Sequence, residues 1–230
     1  MRQTESLVAC VEASRTFGSG PGAVIAVHGT TCEVPPGARI AITGPSGSGK
    51  STLLHLMAGL ELPGRGAVTW PALSGVAAER AREIGVVFQS PSLVPALDVA
   101  ENAGLPLVLA GVGERECLER VAEALELIGV GDLAARLPEE LSGGQAQRVV
   151  VARVLAQRPR LVLADEPTGQ LDRATGQHLI DVLLAAAARI GAALVISTHD
   201  RAVTERLDTH WTMHEGRLRT TSPATPGGLS

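Results

Sequence analysis

Lysine is all but missing from this 230-residue chain: Lys50 is the single one, beside nineteen arginines. Cysteine is scarce as well, and Cys10, Cys32 and Cys117 are odd in number and widely spaced. With no CxxC pair and no histidine cluster at zinc spacing, they exclude a disulfide framework and a structural metal, and they fit a reducing cytosol. No segment concentrates arginine and the net charge is −4, so the electrostatic footprint of a nucleic-acid binder is absent and no nucleic-acid partner is expected. Residues 1–5 lack the apolar stretch of a signal peptide, and the most apolar long segment, residues 179–196, is interrupted by Asp181 and Arg189. The chain is therefore not expected to cross a membrane by itself. No internal repeat is evident.

What is present is a core. A hydrophobic content of 45% in 230 residues suffices for one α/β domain, or for a core carrying a subdomain. Residues 7–14 and 23–34 are rich in β-branched side chains and flank the glycine-rich 18–22, which reads as two strands and a turn. Residues 39–43 form a short buried strand, 50–58 have helical composition, and Gly59 caps that helix. Residues 84–88 read as another strand, whereas 90–106 hold three prolines and no sustained period, so loop or short irregular helix is expected. Apolar Leu118, Val121, Ala122, Leu125 and Ile128 predict a helix over 114–128 closed by Gly129, and Ser142 is an N-cap candidate for the next. Residues 161–164 read as a fully apolar strand and 192–197 as one more buried strand, on either side of a helix marked by Leu179, Val182, Leu183, Ala186 and Ile190. A hairpin is expected over 209–214 and 217–219, around Glu215-Gly216, followed by a loose Ser/Thr/Pro/Gly-rich tail. Strands alternating with helices imply a largely parallel sheet.

The lone lysine sits in Gly44-Pro45-Ser46-Gly47-Ser48-Gly49-Lys50-Ser51, a complete GxxxxGK[ST] pattern between strand and helix. The glycines let backbone N–H groups approach phosphates, the helix presents its positive end, and Ser51 places a hydroxyl where Mg2+ would sit. A compact ammonium seats against the β and γ phosphates as a point charge, whereas a guanidinium is larger and forked. The bland alternative for Lys50 is base composition that spared one lysine by chance. Asp165 and Glu166 end an apolar strand: the first would be held rigidly beside the metal, and the second left to orient or deprotonate a water. These residues by themselves describe a P-loop nucleotide hydrolase.

Leu141-Ser142-Gly143-Gly144-Gln145, with Gln147-Arg148 following, and Asp165-Glu166-Pro167-Thr168-Gly169-Gln170-Leu171-Asp172 add a family. With these motifs the chain resembles the ATP-binding subunits of ABC transporters, over nearly its whole length. Ser142 and the two glycines after it at a helix N-terminus make a second anion site, or serve only as an ordinary cap. The resemblance implies an RecA-like P-loop core with a mainly parallel sheet, an N-terminal antiparallel β subdomain and an inserted α-helical subdomain. It places one domain over 1–218, with the core at 1–89 and 159–218, the helices at 90–158 and a flexible tail at 219–230. It also implies ATP and Mg2+ as ligands, with ATP held by residues 44–52, Thr52 included. Ser142, Gly143, Gly144 and Gln145 would contact the γ-phosphate of a second copy of the chain, so that two subunits sandwich two ATP head to tail.

The same resemblance assigns Gln89 to the metal and the attacking water, His199 to the γ-phosphate as a switch, and Asp172 to the connection between the two sites. Phe17 fits the adenine-stacking aromatic, which is most often tyrosine; this chain has none, and Phe17 keeps the ring without the hydroxyl. A core aromatic is the other reading of Phe17. The residues around the glycine loop, Gln89 and Pro167-Thr168-Gly169 look most like the lipoprotein-release, macrolide-export and cell-division group. Two departures are a shortened stretch between Gly66 and Ile84, and Gln170 where asparagine is common. The implied function is an ATPase on the cytoplasmic face of the membrane, powering a separate permease for export, extrusion or mechanotransmission. The alternative is an ATP-driven regulatory partner of a membrane protein with no transported substrate. The stretch 89–106 is expected to form part of the groove for a permease helix, with Leu93, Val94 and Leu97 either there or in the core. A chain end at Ser230 would leave no length for an appended regulatory domain.

Overall fold

Parallel strands buried on both faces need apolar side chains pointing both ways, and three strands here supply them. In β3 (Arg39–Thr43), β6 (Leu161–Asp165) and β7 (Ala193–Ser197), successive residues alternate between two separate cores. Ile40, Ile42, Leu161, Leu163, Ala193 and Val195 join one; Ala41, Val162, Ala164, Leu194 and Ile196 join the other. A computed structural model describes residues 5–220 and shows these strands at the centre of a six-stranded sheet. With β5 (Ile84–Val87), β8 (Thr209–His214) and β9 (Arg217–Thr220), the order is β5-β6-β7-β3-β8-β9. All neighbours are parallel except the β8–β9 hairpin.

A second, three-stranded antiparallel sheet, β2-β1-β4, is built from β1 (Val8–Phe17), β2 (Val24–Val34) and β4 (Arg65–Thr69). Its inner face packs on α1 (Lys50–Ala58) and on one face of the large sheet through Val8, Cys10, Val27 and Val34. The opposite face of the large sheet is covered by α5 (Gly143–Ala156) and α6 (Arg173–Ile190), and α3 (Val99–Leu109) and α4 (Glu114–Ile128) pack against α5. Two short helices, α2 (Ala77–Glu83) and α7 (Arg201–Thr204), complete the α-helices among the described residues.

Most expected elements are present within a residue or two of their bounds. One is not: within 90–106 the chain forms α3, which starts at Val99 and runs through Pro106. A capping box overrides the proline signal. The Asp98 carboxylate accepts from the Glu101 N–H at 2.8 Å, and the Glu101 carboxylate accepts from the Asp98 N–H at 2.9 Å. Buried Asn102 adds three donations, to the carbonyls of Val94, Leu97 and Asp98. β4 and α2 were not expected; β4 shows no alternation of buried and exposed positions, and none of the residues of α2 is buried. The last strand continues to Thr220, so Arg219 and Thr220 are not tail. Residues 221–230 of the expected tail lie outside the described residues.

Candidate functional site

The glycine loop follows β3 and is pressed between β2 and β8. A Cβ at Gly44, whose φ is 152°, would lie 2.0 Å from the Met213 carbonyl oxygen; one at Gly49, with φ 100°, would lie 2.1 Å from that of Ala26. Only glycine fits either place. The turn of the β8–β9 hairpin fastens the loop, its Gly216 N–H donating to the Ser48 carbonyl at 2.9 Å while the His28 N–H donates to the Gly216 carbonyl at 2.8 Å.

Lys50 opens α1 and is buried. Its Nζ donates to the carbonyls of Gly44 at 2.9 Å and Pro45 at 3.1 Å, and stands 3.4 Å from Glu166 Oε1. The Ser48 hydroxyl is buried without a hydrogen-bond partner. An unpaired buried hydroxyl costs about 1–3 kcal/mol, which fits a loop shaped to receive a ligand oxygen. A cavity of about 280 Å³ opens here, walled by Ser46, Gly47, Ser48, Gly49, Lys50, Ser51, Thr52, Gln89 and Glu166, with Phe17, Val24 and Ala26 at the β1–β2 hairpin. Phe17 is 40% exposed, so it is a cavity wall rather than a core aromatic. The Arg15 guanidinium lies 4.9 Å from its ring centroid and is itself ion-paired with Glu61 at 2.6 Å.

Asp165 is the last residue of β6 and pairs in parallel register with Ser197, the last of β7. That register brings the Ser197 hydroxyl within 2.6 Å of Asp165 Oδ1, to which it donates. The Glu166 N–H donates to both the carbonyl and the hydroxyl oxygen of Ser197, at 3.1 and 3.0 Å. Glu166 is thereby held at φ 42°, a left-handed conformation that costs a non-glycine residue about 1–2 kcal/mol. Its carboxylate is suspended between Lys50 and His199, whose Nδ1 is 3.3 Å from Oε2. Gln89 follows β5. Apart from Phe17, Val24 and Ala26, the cavity residues and their neighbours thus come from the carboxyl ends of four adjacent parallel strands, β5, β6, β7 and β3, where open α/β sheets place their ligands.

Asp165 is buried and does not wall the cavity itself. Ser142 caps α5 in a reciprocal box with Gln145, its N–H donating to Gln145 Oε1 at 2.8 Å and its Oγ accepting from the Gln145 N–H at 3.3 Å. Ser142 and Gly143 are exposed, and none of Ser142, Gly143, Gly144 and Gln145 walls the cavity. Asp172 caps α6, and the Thr175 hydroxyl, with the N–H groups of Thr175 and Ala174, holds its carboxyl below the usual range. It shares a groove of about 240 Å³ with Thr168, His199 and Asp200.

Ser197 gains importance only in three dimensions, and Gln147 gains a specific partner there. Ser197 supports both acidic residues, and its place opposite Asp165 depends on strand register. Buried Gln147 donates from Nε2 to the Phe88 carbonyl at 3.0 Å, tying the signature helix to the segment before Gln89. The signal for Gln147 was its spacing in the signature stretch.

A family model described as ABC transporter matches residues 27–169. The chain belongs to the ABC transporter family. The lipoprotein-releasing system ATP-binding protein LolD of Legionella pneumophila (strain Lens) is 40% identical to this cassette over 211 residues, 89% of this chain and 93% of that protein. An uncharacterized ABC transporter ATP-binding protein of Mycobacterium tuberculosis is 42% identical over 215 residues, covering 89% and 86%. Among solved structures, a dimeric ATP-binding cassette in a post-hydrolysis state bound to ADP and Pi superposes with a TM-score of 0.82 at 32% identity, covering 93% of this chain and 98% of that one. The cassette is therefore an ABC-type ATPase, with the P-loop fold and the ATP-binding capacity of its family.

Proposed function

We propose that two copies of this cassette close head to tail around two ATP molecules and drive a separate membrane permease from the cytoplasmic face. The observation that carries the reading is a division within one chain. Lys50, Gln89 and Glu166 share a cavity, whereas Ser142 and Gly143 stand exposed at a helix N-terminus outside it. A helix N-terminus with free N–H groups and no side chains in the way is an anion site seeking an anion. A second copy supplies one: the γ-phosphate on its glycine loop.

Within each site, the glycine-loop amides and Lys50 hold the phosphates, and Phe17 stacks on the base. The Ser51 hydroxyl, the Gln89 amide oxygen and the Asp165 carboxylate are hard oxygen donors, the set that suits Mg2+. When bound, that ion neutralises phosphate charge and orients the groups it bridges. Glu166, fixed by Ser197 through its backbone and by His199 at its carboxylate, accepts the proton of the attacking water. Lys50 and the loop amides are preorganised toward the oxygens where charge develops. Asp172 links the two sites across the dimer.

A permease needs a seat, and the cassette has an apolar groove of about 630 Å³ between α3 and α4. Leu97, Leu105, Val108 and Leu118 line it, with Val108 and Leu118 more than half exposed, and Asp98, Glu101 and Glu114 on its walls. We assign it to a short permease helix. Likeness to a lipoprotein-releasing ATPase supports export, extrusion or mechanotransmission as the coupled work. The test is light scattering on the Glu166→Gln variant: ATP is expected to convert it from monomer to dimer, and Ser142→Arg added to it to keep it monomeric. A monomer at saturating ATP, or wild-type turnover by Ser142→Arg alone, overturns the two-chain site.

A further inference from the structure

Two of the three cysteines face each other away from the ATP cavity. Cys10 of β1 and Cys32 of β2 are partners in antiparallel register, both are free thiols, and both are buried. Opposite residues of an antiparallel pair project from the same face with Cα atoms about 4.5–5.5 Å apart, inside the roughly 4.4–6.8 Å that a disulfide spans. Donation from the Cys32 thiol holds Cys10 below the usual thiol range, and the same bond, with burial, pushes Cys32 up. Of the two, Cys10 is therefore the sulfur that gives up its proton more readily, and the thiolate is the form that reacts. Cys117 lies apart from them, its sulfur 3.9 Å from the Gly104 carbonyl between α3 and α4.

We propose that Cys10 and Cys32 form a redox modification site that hydrogen peroxide converts into a reversible cross-strand disulfide. The Cys10 thiolate attacks one peroxide oxygen; the O–O bond breaks, and the leaving hydroxide takes a proton to become water. Cys10 is then a sulfenic acid. The Cys32 sulfur, giving up its proton, attacks the Cys10 sulfur; the S–S bond forms and the sulfenic oxygen departs as a second water. Two thiols lose two electrons, and peroxide gains them. The fold makes room for this: β2 is an edge strand of the β2-β1-β4 sheet, so its opening removes the strand that faces Cys10. The bond would close the regular end of the hairpin, since the register shifts lie between Cys10 and Thr16, toward the end where Phe17 and Val24 wall the ATP cavity.

The test is to treat the full chain with peroxide, alkylate remaining thiols in denaturant, and map a non-reducing digest by mass spectrometry. Expected are a peptide linking Cys10 to Cys32, lost on reduction with dithiothreitol, and Cys117 recovered alkylated. Recovery of Cys10 and Cys32 as alkylated thiols or as sulfinic acids overturns the proposal. In Cys32→Ser, dimedone should trap Cys10 as its sulfenic acid; no adduct there removes Cys10 as the attacking sulfur.

Discussion

Replacing Glu166 with glutamine separates its catalytic charge from its structural place. Glutamine has the same length and leaves the two hydrogen bonds from the backbone N–H to Ser197, at 3.1 and 3.0 Å, untouched. The left-handed φ of 42° stays as costly as before, since neither side chain relieves it. What disappears is the carboxylate 3.4 Å from Lys50 and 3.3 Å from His199. His199 is 71% exposed, so its pair with Glu166 contributes about 0–1 kcal/mol. Buried Lys50 keeps the Gly44 and Pro45 carbonyls as acceptors, so the melting temperature should move by no more than about 2–4 °C.

Turnover should respond on another scale. An amide cannot accept the proton of the attacking water, and loss of a general base slows a reaction by about a hundred- to ten-thousand-fold, which is about 3 to 5.5 kcal/mol at the transition state. ATP affinity should hold or rise, because a negative charge leaves the neighbourhood of Lys50, the ammonium that must meet the phosphates. Phosphate release under single-turnover conditions measures the chemical step, and equilibrium titration with a fluorescent ATP analogue measures binding. Near-normal turnover with intact binding would refute the assignment of Glu166. Equal losses of binding and turnover would show that the carboxylate holds the site together rather than acting on water.

Ser197→Ala removes the 2.6 Å donor to buried Asp165 and one acceptor of the Glu166 N–H. Denaturant titration should show a loss of about 1.5–3 kcal/mol, typical of a hydrogen bond to a charged group, together with slower turnover; an unchanged midpoint contradicts the support role. Gly49→Ala sets a Cβ 2.1 Å from the Ala26 carbonyl at φ 100°, and should destabilise by about 2–4 kcal/mol, readable as a melting temperature lower by about 5–15 °C. Phe17→Ala should weaken ATP binding by about 1–3 kcal/mol, the worth of one stacked base, while Phe17→Tyr keeps it; equal dissociation constants for Phe17→Ala and wild type would remove Phe17 from the site. Leu105→Glu with Val108→Glu, in the α3–α4 groove, should leave the ATPase rate of the isolated cassette unchanged and abolish co-purification with its permease.

The sequence carried the chemistry of this site further than its mechanics, and the reason is physical. A glycine loop, a cap and an acidic strand end are local: each is written in consecutive residues whose backbone conformation those residues themselves dictate. Gly44, Gly49, Ser142 and Asp172 therefore show their purpose in one dimension. Ser197 does not, because its role depends on β7 lying beside β6 with Asp165 opposite it, and register is a property of two strands. The same holds for Cys10 and Cys32, which look like scattered cysteines until the register pairs them. Helix α3 shows the converse error, a local signal read too literally. Three prolines suggested loop or a short irregular helix, yet the Asp98–Glu101 box and the three donations of Asn102 supply enough partners for a regular helix to run through Pro106. That helix then forms one wall of the groove assigned to the permease. Its stability matters beyond its own turn: disrupting the box with Asp98→Ala should loosen this wall while leaving the nucleotide cavity, which shares no residue with it, intact.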